Sequence, residues 1–328
     1  MSRASGIGSW PGTSIREALA VVRDLLADAH LPYLPELPAR GPGADMVGRA
    51  AGLLVDLHVD LQPAGWRLVD RPGRDASRTS ALLREDLDEL AEAFDGYTGE
   101  LKVQVCGPWT LASSVSLTRG ERAVADEGAC RDLVASLAEG LRQHLVTLER
   151  LVPGASFVVQ IDEPGLPGVL AGSLPTVSGF GRIRAVDPQV AAAGLRDVLA
   201  AAGERPTVVH CCAPAVPLPL LRSTGARAVS LDTSLVRSAG WESIAATVED
   251  GVGLWAGLVP TDDEQPRATE LAGRLVSAWR GVGLPLSGLA EVTVTPACGL
   301  AGLTPQGARD VQRATVHIAQ ELTERSGG

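Results

Sequence analysis

Short apolar runs and amphipathic helical patterns alternate along the whole chain, and few architectures accept that order. The runs lie at 7–10, 32–37, 101–110, 156–164, 207–212, 228–234, 254–260 and 292–299. The first two are short, and the second carries prolines, which weaken a strand. Between them, apolar residues recur at i, i+3, i+4 and i+7 over 14–30, 81–94, 130–152, 190–203, 243–251, 267–283 and 307–325. Strands that alternate with helices form βαβ units, and these build a parallel sheet. About eight such units match a closed barrel. The expected fold is therefore α/β, a single (β/α)8 TIM barrel over residues 1–328, with its active site at the C-terminal ends of the strands. A doubly wound open sheet is the alternative. Against it, no G-x-G-x-x-G follows the first run and no P-loop occurs. The polar stretches 63–79 and 113–128 read as loop insertions.

Charge and cysteine usage narrow the partners. A net charge of −10 argues against nucleic acid, whose phosphates require a basic surface. Lys102 is the only lysine in a chain that otherwise uses arginine, which reads as compositional bias. No run approaches the ~18 apolar residues of a membrane span. The start, MSRASGIGSWPG, lacks the apolar segment of a secretory signal. Five cysteines, two of them adjacent, do not resemble a disulfide framework and suit metal ligands or buried thiols in a reducing compartment. The expected location is cytoplasmic.

Three of the runs end in residues that can bind zinc. TVVHCC carries His210 and Cys212, AVSLDTS carries Asp232, and VTVTPACGL carries Cys298. One imidazole, two thiolates and a carboxylate would make a tetrahedral site. Residues i and i+2 of a strand share a face, so His210 and Cys212 can share one metal while Cys211 points away as a small buried hydrophobe. Packing, with the imidazole bonded to a carbonyl, is the other reading of His210 and Cys212. Further polar residues fall at strand ends, among them Ser9, Glu36, Gln160, Asp162 and Glu163, while the same strands are apolar upstream. Asp162 and Glu163 also read as solvated or Arg-paired loop carboxylates, and Ser9 as a turn or helix-entry residue. Trp109 and Trp255 read either as pocket lining or as core.

In order along the chain, IGSWP (7–11), ADMV (44–47), GPWTL (107–111), QIDEPGLP (160–167), H-x-C (210–212), VSLDTS (229–234) and TPACGL (295–300) resemble the catalytic C-terminal barrel of cobalamin-independent methionine synthase. That family lies within the uroporphyrinogen decarboxylase-like barrels. The resemblance implies a zinc-dependent thiol methyltransferase, with homocysteine as acceptor and methyltetrahydrofolate or a methylcorrinoid as donor. It implies zinc ligation by His210, Cys212 and Cys298, and by Asp232 where the family usually has Glu. It implies that Ile7, Gly8 and Ser9 hold the substrate carboxylate and that Asp162 binds its amino group. No catalytic group beyond the zinc-activated thiol is implied. The chain departs from the folate-using pattern at Ser114, Gly168 and Leu258, and Gly48 stands where the family has a substrate-binding Glu. A corrinoid-linked enzyme with another thiol acceptor and a corrinoid protein partner, or a non-catalytic zinc-binding barrel, are the other readings.

Overall fold

The computed structural model describes residues 1–262 and 267–327. Its strands are β1 (Arg3–Ala4), the hairpin β2 (His58–Gln62) and β3 (Gly65–Val69), then β4 (Glu100–Cys106), β5 (Ser156–Asp162), β6 (Thr207–Cys211), β7 (Ala228–Asp232), β8 (Gly253–Val259) and β9 (Thr293–Pro296). All but the hairpin form one curled parallel sheet of seven strands, in the order β1-β9-β8-β7-β6-β5-β4. Helices intervene, as the periodicity predicts. The long ones are Ile15–Leu26, Arg74–Ala93, Glu127–Leu151, Pro188–Ala200, Ala268–Gly281 and Pro305–Ser326. Several start on side-chain caps that satisfy otherwise unpaired N–H groups, namely Ser14, Asp126, Asp187 and Thr304.

The segment 31–36 bonds to both edges of this sheet. Toward β1, Leu31 N donates to Ala4 O (2.9 Å), Glu36 N to Gly8 O (3.0 Å) and Trp10 N to Glu36 O (2.7 Å). Toward β4, Lys102 N donates to Pro32 O (2.8 Å) and Leu34 N to Lys102 O (3.0 Å). Pairing here is confined to the isolated parallel bridges Ser9↔Glu36 and Tyr33↔Lys102. The cause is local: Pro32 and Pro35 have no N–H to give a ladder. The runs 7–10 and 32–37 thus lie beside the sheet as expected, but without forming regular strands.

The stretch 63–79 departs from the loop expectation. Gly65–Val69 pairs antiparallel with His58–Gln62, and Arg74 already begins a helix. The alternation of polar and apolar side chains in HVDLQ and GWRLV is a period of two, and Gly65, at φ +117°, completes the tight turn between them.

Side-chain alternation separates two apolar regions. Val159, Ile161, Val209, Val229, Leu231 and Val294 face the helices and join the main core. Their strand neighbours Val158, Val208, Ala228 and Trp255 face the other way and form, with Leu31, a small separate cluster inside the curl. Trp255 is therefore core. Beyond that apolar floor the inward positions turn polar. Among the described residues no helix is long and apolar enough to cross a membrane.

Candidate active site

Strand register assembles the polar layer. Asp162 is the partner of His210 across β5–β6, His210 of Ser230 across β6–β7, and Asp232 of Gly257 across β7–β8. Gly257 is required there. A β-carbon would lie 2.8 Å from Leu231 O and 3.0 Å from Ala297 Cα, so a side chain would part the strands that carry Asp232 and Cys298.

His210 is buried, and its Nδ1 is 2.9 Å from Ser230 Oγ. Its Nε2 is buried with no hydrogen-bond partner. Burial and the nearby Lys102 charge push the imidazole down to about 3, so it is neutral at physiological pH and its free nitrogen can accept a cation. Cys212 and Cys298, from different strand ends, sit with their sulfurs 3.2 Å apart. The hydrogen bond between them lowers the Cys298 thiol and raises that of Cys212. Cys211 is fully buried on the opposite face, and burial pushes its thiol up to about 12, in agreement with an inert packing role. Asp232 lies close enough to disfavour the Cys298 thiolate. Its Oδ1 accepts from Ser234 N (2.8 Å) and Ser234 Oγ (2.6 Å), which caps the turn Thr233–Leu235. Among the described residues no three of His, Cys, Asp and Glu converge tightly enough to enclose a metal as they stand. The two sulfurs and the orphaned imidazole nitrogen nevertheless match the donor set of a zinc site.

The segment Ile7–Ser9 is held from below. Ile7 O accepts from Lys102 Nζ (2.7 Å) and from Gln160 Nε2 (2.8 Å). Ser9 O accepts from Leu300 N (2.9 Å), and Gly299 packs against the Ser9 hydroxyl so closely that no side chain fits at 299. This contact draws Ser9 toward the Cys298 loop. Asp162 is buried, and its Oδ1 accepts from Gln160 Nε2 (2.7 Å). Burial, and then the Glu36 charge, hold its carboxyl well above the usual range, against the opposing pull of Lys102. Lys102 is fully buried. Its Nζ also reaches Gln160 Oε1 (2.8 Å) and lies over the Tyr33 ring, and burial lowers it to about 7. Composition alone marks this lysine as no more than a bias toward arginine elsewhere, and does not reveal its place in the site. A single lysine inside the apolar run LKVQV was the available signal.

Glu163 is a structural carboxylate, not a loop one. It is buried, and it accepts from Trp109 N (2.9 Å), Thr110 N (2.8 Å) and Thr110 Oγ1 (2.7 Å). These donors open the helix Pro108–Ser114. Burial pushes the carboxyl up to about 7 in spite of them. Glu163→Ala should cost about 3 kcal/mol in urea denaturation, since it orphans two buried amides and a hydroxyl. An unchanged unfolding free energy would show that water replaces the carboxylate. Trp109 is core as well: its Nε1 donates to Ala191 O (2.8 Å) and its ring packs on Gly194.

The remaining departures have physical settings. At Gly48 a β-carbon would lie 2.6 Å from Gly43 N and 2.9 Å from Asp45 Oδ2, so the Asp45 cap fills the space of any side chain there. Leu258 packs in the helix-facing core, Ser114 is exposed, and Gly168 lies in the short helix Leu166–Leu170.

The family model "Cobalamin-independent synthase, Catalytic domain" matches residues 2–321. The chain belongs to this family. It is accordingly an enzyme of the methyltransferase class that the family represents. No curated protein matches it. Among solved structures it is similar to a B12-independent methionine synthase from Shewanella sp. W3-18-1 in complex with selenomethionine, at 15% identity and a TM-score of 0.65, over 98% of this chain and 97% of that one. At that identity the likeness speaks for the fold. A variant of methylaspartate ammonia lyase from Clostridium tetanomorphum matches at 12% identity and a TM-score of 0.48, over 100% of this chain and 60% of that one.

Proposed function

We propose that this chain is a zinc-dependent thiol methyltransferase that methylates homocysteine. We propose further that it is one cytoplasmic (β/α)8 barrel over 1–328, in which segment 31–36 is the eighth stave. The observation that carries the reading is the Cys212–Cys298 sulfur pair in the same polar layer as a buried imidazole with an unpartnered Nε2. His210, Cys212 and Cys298 would hold zinc, with Asp232 as the fourth ligand. Zinc there supplies deprotonation of the acceptor thiol at neutral pH, where a free thiol near pKa 8.5 stays mostly protonated. Ser230 orients the imidazole by occupying Nδ1, which leaves Nε2 for the metal. Ser234 already occupies Asp232 Oδ1, so of the four residues this carboxylate would be the weakest zinc ligand. Ile7, Gly8 and Ser9 would hold the acceptor's carboxylate, and Asp162 its amino group. The selenomethionine in the Shewanella enzyme supports a methionine-like occupant.

The proposed donor is 5-methyltetrahydrofolate. A sulfur–methyl bond forms as the nitrogen–methyl bond breaks, and the proton lost by the thiol balances the one taken up by the folate nitrogen. The family description is of a cobalamin-independent synthase and lends a corrinoid partner no support. Ser114, Gly168 and Leu258 mean that the donor is gripped by other residues than the folate-using pattern implies.

The test is zinc content with X-ray absorption, followed by turnover. One zinc per chain that gains a sulfur ligand on addition of homocysteine, and methionine formed from 5-methyltetrahydrofolate, are the expected results. Zinc whose coordination ignores homocysteine would overturn the acceptor. Absence of bound zinc would overturn the mechanism.

A further inference from the structure

We infer that the hairpin 174–183 and the groove at its base form one self-complementary docking surface, whose occupant is a second copy of this chain. The Phe180 of each copy enters the groove of the other.

The hairpin is built to present its tip. It follows the short helix Leu166–Leu170 and is closed by the antiparallel bridge Pro175↔Arg182 and by Ile183 N donating to Leu174 O (2.8 Å). Nearer the tip Thr176 N donates to Gly181 O (3.0 Å), and Gly179, at φ +74°, turns the chain. Val177 N donates to the Glu121 carboxylate (2.9 Å), which anchors the hairpin to the loop after β4. At the tip Phe180 is 99% exposed and Val177 is 62% exposed. A phenyl ring held wholly in water on a bonded turn gains nothing for this chain alone and marks a contact surface.

The receptor lies beside it. Thr176 and Arg182, one on each arm of the hairpin, also line a groove of about 1250 Å³ between the helices Glu127–Leu151 and Pro188–Ala200. Its apolar wall includes Val124, Val134, Ala135, Val186, Val190 and Ala193, and Val190 is 54% exposed. Knob and hole thus share one face, as an isologous contact about a two-fold axis requires.

Charge decides between occupants. Arg131, Arg182 and Arg184 line the groove, and so do Glu127, Asp187 and Asp197. Among the described residues none of these six enters an ion pair, although many other arginines do. A patch with three charges of each sign is complementary to itself, because a two-fold rotation can set guanidinium against carboxylate. A nucleic acid or an anionic membrane would meet three repelling carboxylates. A small apolar ligand would fill the groove but leave Phe180 in water. A second copy covers both.

The test is sedimentation velocity across a range of protein concentrations. Wild type should form a dimer, and a wild type that stays monomeric up to about 100 μM overturns the inference. Phe180→Ser, at a fully exposed position, folds as wild type does. It should weaken the dimer at least ~100-fold, since two symmetric contacts each lose an aromatic anchor worth at least about tenfold. Unchanged dimerisation of Phe180→Ser would place the interface elsewhere and overturn the inference. Val190→Asp, on the groove side, should weaken the dimer as well. Mixing the two variants separates exchange of Phe180 from a general loss of contact. In the mixed dimer both defects fall on one contact and the other is intact, so the mixture should associate more tightly than either variant alone. A mixture no tighter than its components would mean that Phe180 and the groove do not meet.

Discussion

Cys298→Ser is expected to strip the protein of zinc and abolish methyl transfer, whereas Cys211→Ala leaves both nearly intact. The contrast follows from strand direction. Cys298 lies 3.2 Å from Cys212 at the strand ends, while Cys211 is fully buried on the opposite face of β6. A hydroxyl is a far poorer zinc ligand than a thiolate at neutral pH, since the hydrogen bond with Cys212 lowers the Cys298 thiol while a serine hydroxyl holds its proton far more tightly. Loss of an outer-shell partner alone typically costs 10–100-fold in metal affinity, so loss of a direct ligand should cost at least ~100-fold. Metal analysis after dialysis against a weak chelator measures it. Tight stoichiometric zinc in Cys298→Ser would mean that the sulfur pair is not the metal site. Loss of zinc from Cys211→Ala would mean that the face assignment along β6 is inverted.

That face assignment was legible because it rests on a period of two. His210 falls in register with Asp162 and Ser230 only if the strand begins where the apolar run TVV begins, and it does. The helices were legible for a similar reason, since Glu127–Leu151 and Pro305–Ser326 differ from the periodic stretches by only a few residues. The hairpin at 58–69 was not. Its charged residues Asp60 and Arg67 obscured the alternation, and the pairing that fixes it is non-local. Segment 31–36 was half legible, because its prolines mark it as irregular yet say nothing of the two edges it joins. Glu36 was seen at a strand end, but its long contact with Arg49, which is committed to Asp86 on another helix, was not. Charge balance across elements distant in sequence has no signature in a single chain.

Lys102 is the clearest case of such hidden balance, and its removal has a definite expectation. Lys102→Met keeps the length and the apolar stem but deletes the donor to Ile7 O, Gln160 Oε1 and Gln104 Oε1. Ile7 O retains Gln160, but the two amide oxygens lose a buried partner, Asp162 loses a positive charge that stabilises it, and Glu36 loses one that adds to that of Arg49. Each orphaned buried group costs about 1–3 kcal/mol, which places the loss near 3 kcal/mol at pH 7. Arginine should not rescue it, because a rigid five-donor fork does not fit where one ammonium is enclosed. The pH dependence separates this account from simple loss of packing. Burial lowers the ammonium to about 7 from 10.5, so between those values the folded state has released a proton that the unfolded chain still holds. The contribution of Lys102 to stability therefore rises with pH over that window and is smallest below it. The gap between wild type and Lys102→Met should widen from pH 7 toward 9, with an upper bound of about 1.4 kcal/mol per pH unit. Urea denaturation of both proteins across that range measures the gap. A gap that stays constant would mean that Lys102 acts only by filling space, and the segment Ile7–Ser9 would then owe its position to Gln160 alone.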